Sequence, residues 1–375
     1  MKIVVDENIP LAGAFFESAA ELISLPGRAL TAADVKDADA LLVRSVTRVD
    51  EALLQGSKVK FVGTCTIGMD HLDQAYLQRA GIAYTNAPGC NANSVVEYVY
   101  AALSHLNVDW HQRSVGIIGC GNVGGALYRA LSSQGVECRC YDPFLTREQN
   151  PDLTDLEEVL QCDIVSMHTP LTTTGQHPSR HMLDYTQLRK LRDDVVLLNC
   201  GRGAVIDNRA LLKLMQERDN HIQVVLDVWE GEPEISVDLL NRVQLGSPHI
   251  AGYSFDGKLK GTAMIYQAFC RHFGLTEKVH LADVLPVTLN NRLAMPEGDA
   301  WQVIGQLIEK VYAIEADDRA LREMVADGTE PVATGFDRLR KQYPVRREFS
   351  NYRVAASGNP DIDAPLAALG FNLES

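Results

Sequence analysis

The fold of this chain is decided by one segment, Val115-Gly116-Ile117-Ile118-Gly119-Cys120-Gly121-Asn122-Val123-Gly124. Apolar residues typical of a buried strand lead into a glycine-rich turn, and a helical pattern follows. In such a turn, Gly119 makes the bend, Gly121 lets the backbone approach a pyrophosphate, and Gly124 lets helix and strand pack closely. The segment therefore predicts a dinucleotide-binding site.

Asp142 is expected to set the choice between NAD and NADP. It ends the next apolar strand, at the distance from the glycine turn that the motif requires. A carboxylate there accepts hydrogen bonds from ribose hydroxyls, whereas a 2′-phosphate would meet like charge. The alternative is that Asp142 only caps the following segment. We predict NAD as the cofactor, held by Asp142 and by the helix start at Asn122 and Val123, whose N–H groups suit phosphates.

Composition indicates a globular protein of two or three domains. The chain has 375 residues, of which 46% are hydrophobic and 22% charged. The net charge of −14 argues against a nucleic-acid partner. No apolar run has the length of a membrane span, and the sequence starts in a strand pattern without a signal-like segment, so we expect a cytoplasmic protein.

The eight cysteines are expected to be reduced thiols. Cys65, Cys162 and Cys200, for example, lie singly in apolar strands or turns, without the spacing of a disulfide framework. The sequence has no CxxC or HExxH motif, so no metal site is predicted.

Strand patterns alternate with helical ones on both sides of the glycine turn, which predicts two doubly wound parallel α/β domains. Apolar helical runs at 93–106 and 255–273 would link the two domains, the second crossing back to complete the first. We expect strands at residues 2–5, 40–43, 59–62, 82–84, 137–141, 164–168, 195–199, 223–227 and 243–245.

The last ninety or so residues differ in character. Apolar residues recur at helical spacing from Trp301 to Ile314, and residues 348–355 alternate like a strand. We expect a small α+β domain whose apolar stripe is core or a subunit interface, and we favour oligomerisation over ligand binding because symmetric dimers are the commonest assembly. The predicted division is residues 1–92 with about 256–285 for substrate, 93–255 for NAD, and 286–375 for dimerisation.

Polar residues stand at four predicted strand ends beyond the glycine turn, where open α/β sheets bind ligands. They are Thr169, the Cys200-Gly201-Arg202-Gly203 turn, Asp227 with Glu232, and His249. Oxidation of a hydroxy acid needs a cation for the carboxylate, a base for the hydroxyl proton and an acid that orients the base. Arg202, His249 and Glu232 fit these roles in that order. Taken singly, each also suits an ordinary surface position.

Several segments resemble, in order, the signatures of the D-2-hydroxyacid dehydrogenase family. They are Leu198-Asn199-Cys200-Gly201-Arg202-Gly203-Ala204-Val205-Ile206-Asp207, Leu226-Asp227-Val228-Trp229-Glu230-Gly231-Glu232-Pro233 and Ser247-Pro248-His249-Ile250-Ala251-Gly252. The resemblance implies Arg202, Glu232 and His249 as the catalytic set. It also implies that Thr169, Cys200, Gly201, Asp227 and Gly252 surround the nicotinamide, together with the Arg202 backbone.

The N-terminal segments Phe61 to His71 and Asn86 to Ala92 resemble the substrate-domain loops of the same family, which implies a substrate contact from Thr66. A short first segment, a distinct C-terminal domain, Leu42-Val43-Arg44-Ser45-Val46-Thr47 and Gly252-Tyr253-Ser254 extend the resemblance over the whole chain. They point to a branch of the family that oxidises a phosphorylated four-carbon hydroxy acid in vitamin B6 biosynthesis, as a homodimer.

Physical reasoning adds candidates for the phosphate. Arg44 and Ser45 end a strand and offer a charge and a hydroxyl, and Tyr253 follows His249 by one helical turn. Arg346 and Arg347 could reach in from the C-terminal domain, although a solvated basic turn is the alternative. Two other functions stay open: oxidation of 3-phosphoglycerate or hydroxypyruvate, and a regulator that senses NAD without catalysis.

Overall fold

The structure, a computed structural model, describes residues 1–218 and 221–374. The chain divides into two compact units. The first comprises Met1–Asn91 and Ser254–Val287, and the second comprises Ala92–Tyr253 and Thr288–Ser375.

The strands in chain order are β1 Lys2–Asp6, β2 Glu21–Leu25, β3 Ala40–Val43, β4 Phe61–Thr64, β5 Ala83–Thr85, β6 Val115–Ile118, β7 Cys138–Tyr141, β8 Ile164–Met167, β9 Val196–Asn199, β10 Gln223–Leu226, β11 Leu245–Gly246, β12 Arg292–Leu293, β13 Arg353–Ala355 and β14 Asn372–Glu374.

The α-helices are α1 Ala12–Phe16, α2 Ala32–Val35, α3 Glu51–Leu54, α4 Gln74–Arg79, α5 Ala92–His105, α6 Asn122–Ser132, α7 Leu156–Val159, α8 Tyr185–Leu188, α9 Asn208–Glu217, α10 Val237–Leu240, α11 Phe255–Phe273, α12 Leu281–Val284, α13 Ala300–Val311, α14 Glu315–Asp327, α15 Val332–Lys341 and α16 Pro360–Leu369. Single 3-10 turns lie at Gly27–Ala29, Trp110–Gln112, Gly203–Val205 and Phe349–Asn351.

The first unit is built on a parallel sheet in the order β2-β1-β3-β4-β5. Strands β3 and β4 are buried along their whole length, as expected for a parallel sheet covered on both faces. Helix α11 adds Tyr266 and Phe269, which pack edge-on against Phe16. The strand order reverses between β1 and β3, so the carboxyl ends of these two strands border the crevice where such sheets bind ligands.

The second unit contains a six-stranded parallel sheet in the order β11-β10-β9-β8-β6-β7. Strand β6 pairs with both β7 and β8, through Ile117 to Cys140 and Ile117 to Ser166. The order reverses at β6, which places the glycine turn after β6 at the binding crevice of this sheet. Helix α5 is largely buried and packs against α6 and α13.

Residues 288–374 pack on the six-stranded domain, within the same compact unit. They form a small parallel sheet, β12-β13-β14, and helices α13 to α16. The Trp301 ring meets Trp110 edge-on at 4.9 Å. Arg322 of α14 donates to the carbonyls of Leu240 and Val243, and Asp318 accepts from the N–H of Gly246.

The prediction of two doubly wound parallel sheets followed by a small α+β region is confirmed. Residues 348–355 do not form one strand, because Phe349–Asn351 is a 3-10 turn and only Arg353–Ala355 pairs in a sheet. The sequence reading also missed the edge strand β2. The three-domain division stays a prediction. Among residues 1–218 and 221–374, none of the helices has the length and apolar character needed to cross a bilayer.

Candidate active site

The glycine turn has the geometry that a pyrophosphate requires. Gly119 has φ of +85°, a conformation that side chains rarely adopt. A Cβ on Gly124 would lie 1.9 Å from the carbonyl oxygen of Gly119, so only glycine fits this crossing of helix and turn. A Cβ on Gly121 would instead meet open space. No described side chain caps the start of α6, which leaves its first N–H groups facing that space. These residues fit a dinucleotide.

Asp142 lies beside this turn, as the motif requires. Its Oδ2 accepts from the N–H of Cys120 at 2.9 Å, and its Oδ1 accepts from the N–H of Phe144 at 3.0 Å. The carboxylate therefore braces the glycine turn while it keeps acceptor capacity for a ribose. Capping of the following segment, through the Phe144 N–H, and ribose recognition were alternatives in the sequence, and the two are compatible in this geometry.

The backbone of Thr169 lies between two glycine-containing turns. A Cβ on Gly119 would come within 3.1 Å of the Thr169 nitrogen, and one on Gly201 within 2.8 Å of the same atom. The Thr169 hydroxyl donates to the Ile118 carbonyl at 3.3 Å. The ends of β6, β8 and β9 thus meet around Thr169, so the nucleotide turn and the Arg202 turn belong to one site.

His249 and Glu232 form the hydrogen-bonded pair that the sequence predicts. His249 Nδ1 lies 2.5 Å from Glu232 Oε1, and the other oxygen of Glu232 accepts from the N–H of Trp229 at 3.1 Å. About a quarter of each side chain is exposed, at 27% and 25%. Burial opposes ionisation of Glu232, but the His249 charge and hydrogen bond and the Trp229 N–H together lower its pKa below the usual 4.5. A carboxylate therefore fixes the imidazole ring through Nδ1.

Asp227 holds the backbone that carries His249. Its buried carboxylate accepts from the Ser247 hydroxyl at 2.6 Å and from the N–H groups of Ile250 and Ala251 at 2.7 and 3.0 Å. Burial raises its pKa, and these hydrogen bonds act in the opposite direction. His249 itself has φ of +57° and donates its N–H to the Asp227 carbonyl. The strained turn is thus fixed at several points, which preorganises the imidazole.

The Arg202 turn packs directly on the Glu232 loop. A Cβ on Gly203 would lie 1.9 Å from the carbonyl carbon of Trp229, so the two backbones touch. Arg202 is half-buried, and its Nη1 donates to the Gly201 carbonyl at 2.9 Å. The neighbouring Cys200 is a free thiol whose pKa is raised by burial, which makes it a packing residue rather than a nucleophile. A cation and a His–Glu pair are therefore held in one rigid frame.

Sequence reasoning missed a second histidine pair behind this frame. His181 Nε2 lies 2.6 Å from Glu230 Oε1, and the other oxygen of Glu230 accepts from the Asn208 N–H at 3.2 Å. Asn208 Oδ1 accepts in turn from the Glu230 N–H. Only the acidic turn around Glu230 was visible in the sequence, and nothing in it pointed to His181. The hydrogen bonds of Glu230 with His181 and Asn208 fix the loop that carries Glu232.

In the first unit, the predicted substrate residues lie at the carboxyl edge of the sheet. Arg44 follows β3, and its Nε donates to Asp6 at 3.2 Å, where the Asp6 carboxylate is fully buried. Ser45 is exposed beside it. Thr66 follows β4 and shares a hydrogen bond of 2.8 Å with the hydroxyl of Thr64. The crevice between β1 and β3 therefore presents a cation and a hydroxyl, which suits an anion.

The two C-terminal arginines of the sequence analysis are not exposed. Arg346 is 6% exposed, and its Nη2 donates to Ser94 Oγ and to the Ala251 carbonyl at 2.7 and 2.6 Å. Its guanidinium lies over the Tyr312 ring. Arg347 is 8% exposed and donates to Asn351. Both are packed inside the second unit, so the suggestion that they form a solvated basic turn is wrong.

Comparison with known proteins identifies the relatives of this chain. Residues 91–251 match the family described as D-isomer specific 2-hydroxyacid dehydrogenase, NAD binding domain, and residues 284–370 match a domain of unknown function. A protein of Cellvibrio japonicus named erythronate-4-phosphate dehydrogenase is 57% identical, with 99% of each chain covered. One of the same name from Teredinibacter turnerae is 52% identical, with both chains fully covered.

Solved structures share the fold of about three-quarters of the chain. NAD+-bound 3-phosphoglycerate dehydrogenase of Entamoeba histolytica matches with a TM-score of 0.63 at 24% identity, covering 74% of this chain and 97% of its own. D-lactate dehydrogenase of Aquifex aeolicus, complexed with NAD and lactic acid, matches with a TM-score of 0.61 at 21% identity, covering 73% and 96%. The predictions of an NAD-linked dehydrogenase and of the 2-hydroxyacid dehydrogenase resemblance are confirmed. This chain belongs to the erythronate-4-phosphate dehydrogenase family of NAD-dependent D-isomer-specific 2-hydroxyacid dehydrogenases.

Proposed function

We propose that this protein oxidises 4-phospho-D-erythronate to (R)-3-hydroxy-2-oxo-4-phosphooxybutanoate in the biosynthesis of pyridoxal 5′-phosphate. The observation that carries the chemistry is the 2.5 Å contact between His249 Nδ1 and Glu232 Oε1, next to the Arg202 turn. The substrate follows from relatives at 57% and 52% identity that bear the name of this activity.

His249 is the base of this reaction. Its Nε2 takes the proton of the substrate's 2-hydroxyl group while the C2–H bond breaks and the C2–O double bond forms. Glu232 holds the ring through Nδ1 and stabilises the positive imidazolium that results. NAD, when bound, accepts the hydride that leaves C2.

Arg202 binds the substrate carboxylate. A guanidinium grips a carboxylate through two parallel hydrogen bonds and also polarises the adjacent oxygen, where negative charge grows as the hydroxyl proton leaves. Gly201 and Gly203 fix the position of Arg202, because the absence of a Cβ lets the turn pack closely on the backbones of Thr169 and Trp229. Orientation of the substrate by Arg202 presents its 2-hydroxyl to His249.

The remaining assignments rest on chemistry and position. Asp142, Gly121 and the start of α6 hold NAD, with Thr169, Cys200, Asp227 and Gly252 around the nicotinamide. Arg44 and Ser45 bind the phosphate at the crevice of the first sheet, with Thr66 and Tyr253 as further substrate contacts. We place the protein in the cytoplasm, as a homodimer that associates through residues 286–375.

Initial rates of NADH formation test the function. The purified protein is assayed with 4-phosphoerythronate, 3-phosphoglycerate and glycerate at matched concentrations. We expect the highest kcat/KM with 4-phosphoerythronate. An equal or higher value with either three-carbon acid would refute the substrate assignment, and no NADH from any 2-hydroxy acid would favour a regulator that only senses NAD. Light scattering at several protein concentrations tests the dimer, which a monomer at all of them would exclude.

A further inference from the structure

Arg340, on α15, lies close to Tyr253, one of the proposed substrate residues. Its guanidinium carbon lies 5.7 Å from the centre of the Tyr253 ring. The Tyr253 ring also meets Tyr343 edge-on at 5.9 Å, and the Tyr343 hydroxyl donates to Asp317 at 3.0 Å. Tyr253 thus lies against the C-terminal segment, between Arg340 and Tyr343.

The guanidinium of Arg340 is incompletely neutralised by the protein. Its side chain is 16% exposed, and the nearest carboxylate contact is Asp337 at 3.9 Å, at the limit of an ion pair. Its Nε is buried without a hydrogen-bond partner among the described residues. A largely buried cation whose Nε donor is not bonded favours an added anion, because desolvation is offset only when its N–H groups are bonded.

The other arginines of α14 and α15 differ from Arg340. Arg338 pairs with Glu330 at 2.6 Å, and Arg322 pairs with Asp318 at 2.8 Å and also binds two carbonyls. Arg319 has a loose partner like that of Arg340, but its side chain is 59% exposed and therefore hydrated. Arg340 alone among these four combines low exposure with a weak carboxylate partner.

The surroundings of Arg340 also connect it to the chemistry. Burial acts to lower the pKa of Arg340, but Tyr253 and Glu232 outweigh it, so the pKa lies above its usual value. Glu232 is the carboxylate that holds His249. In a chain with a net charge of −14, an anionic substrate that approaches Glu232 needs a local positive charge to offset the repulsion.

We propose that Arg340 is a specificity-determining residue that binds the phosphate of the substrate together with Tyr253. The C-terminal segment then contributes a phosphate-binding cation to the dehydrogenase site, a role for which residues 346 and 347 were the sequence candidates. This inference rests on the proposed function, because it takes 4-phosphoerythronate as the substrate. The planar guanidinium offers paired N–H donors that suit a phosphate, and the Tyr253 ring lies beside it.

The test compares Arg340→Gln and Arg340→Lys with Arg338→Gln, a control on the same helix. For each variant, kcat and KM are measured with 4-phosphoerythronate and with unphosphorylated erythronate, and NAD affinity is measured by fluorescence titration. We expect Arg340→Gln to raise KM for the phosphorylated acid about tenfold or more, with kcat, NAD affinity and KM for erythronate nearly unchanged. Arg340→Lys should recover part of the loss, and Arg338→Gln should behave as the parent protein.

Inhibition by inorganic phosphate supplies a second measurement. It uses erythronate as the substrate, so it does not depend on how fast the variant oxidises 4-phosphoerythronate. Its inhibition constant against erythronate oxidation should rise in Arg340→Gln and stay constant in Arg338→Gln. Equal losses with both acids, accompanied by a lower Tm, would overturn the proposal in favour of a structural role. A shifted pH profile with an unchanged ratio of the two KM values would also overturn it, since Arg340 would then act through Glu232. Failure of the parent protein to oxidise 4-phosphoerythronate would instead refute the proposed function.

Discussion

His249 is fixed at two points, by Glu232 Oε1 at 2.5 Å from its Nδ1 and by the Asp227 carbonyl, which accepts its main-chain N–H at 2.8 Å. The first contact sets the tautomer of the ring, and the second sets the backbone from which the ring projects. Because a side chain makes the first contact and a main-chain carbonyl makes the second, substitution of Glu232 changes the first and leaves the second in place.

Glu232→Gln should lower kcat about a hundredfold or more, because the imidazolium formed during the reaction loses its carboxylate. NAD affinity should change little, since Glu232 lies outside the glycine turn. His249→Asn should also reduce kcat steeply while NAD still binds. Single-turnover kinetics and fluorescence titration measure the two quantities, and retained activity in His249→Asn would remove this histidine from the role of base.

The Glu232 carboxylate also links stability to pH. Its pKa is lowered in the folded protein from the usual 4.5, so its ionised form stabilises the fold above that pH. The contribution is lost as the pH falls through the lowered pKa. We expect the difference in unfolding free energy between the parent protein and Glu232→Gln to be constant near neutrality and to shrink below about pH 4. Urea unfolding at several pH values checks this, and a difference that grows toward acid would contradict the assignment.

Asp142→Ala should weaken NAD and relax the discrimination against NADP, because the carboxylate that accepts from the ribose hydroxyls is lost. The same substitution removes acceptors from the Cys120 and Phe144 N–H groups, so some loss of stability is expected. The ratio of kcat/KM for the two cofactors is therefore the decisive quantity. An unchanged ratio would refute the ribose assignment whatever happens to Tm.

Gly121→Ala should weaken NAD binding, whereas Gly124→Ala should lower the stability of the fold. The new Cβ at position 121 meets no atom within 4 Å, so the fold and its Tm should be retained while NAD binds more weakly. The new Cβ at position 124 would lie 1.9 Å from a backbone oxygen, which should lower Tm by several degrees. Calorimetry and NAD titration of both variants distinguish the two cases. Equal effects on Tm would show that Gly121 has a structural rather than a binding role.

Arg44→Ala should impair phosphorylated acids more than unphosphorylated ones. It also leaves the fully buried Asp6 carboxylate without its ion pair, which costs about 1–3 kcal/mol or more. The double variant Arg44→Ala with Asp6→Asn separates the two effects, since the amide needs no cation. If the double variant regains discrimination in favour of the phosphorylated acid, Arg44 is not a phosphate ligand.

The sequence predicts the boundaries of some helices and strands closely and misses other elements, in each case for a physical reason. The predicted helix at about 255–273 agrees with α11, whose ends are well marked, because Ser254 caps its start and Gly274 ends it with φ of +65°. Strand β2 was missed because its apolar residues, Leu22, Ile23 and Leu25, do not alternate with polar ones and are only partly buried. Periodicity reveals a strand only where apolar residues recur regularly on one face.

The candidate active site likewise contains residues that the sequence predicts and residues that it misses. Motif order brings Arg202, Glu232 and His249 to notice because strand ends of a parallel sheet converge. Charge alone does not tell a buried arginine from a hydrated one, so Arg346 and Arg347 look exposed in the sequence although they are packed inside. Arg340 gives no signal at all, because only the packing of α15 brings it to Tyr253.

The first unit is closed by a helix that the ribosome makes late. Phe16 and Phe61 lie in the N-terminal segment, but Phe269, which packs against both rings, arrives only with α11. The sheet of the first unit therefore has an uncovered apolar face throughout the synthesis of the entire six-stranded domain. Such nascent surfaces are prone to aggregate at the low rate of chain elongation. We expect the N-terminal residues to require a chaperone until α11 has been synthesised and covers this face.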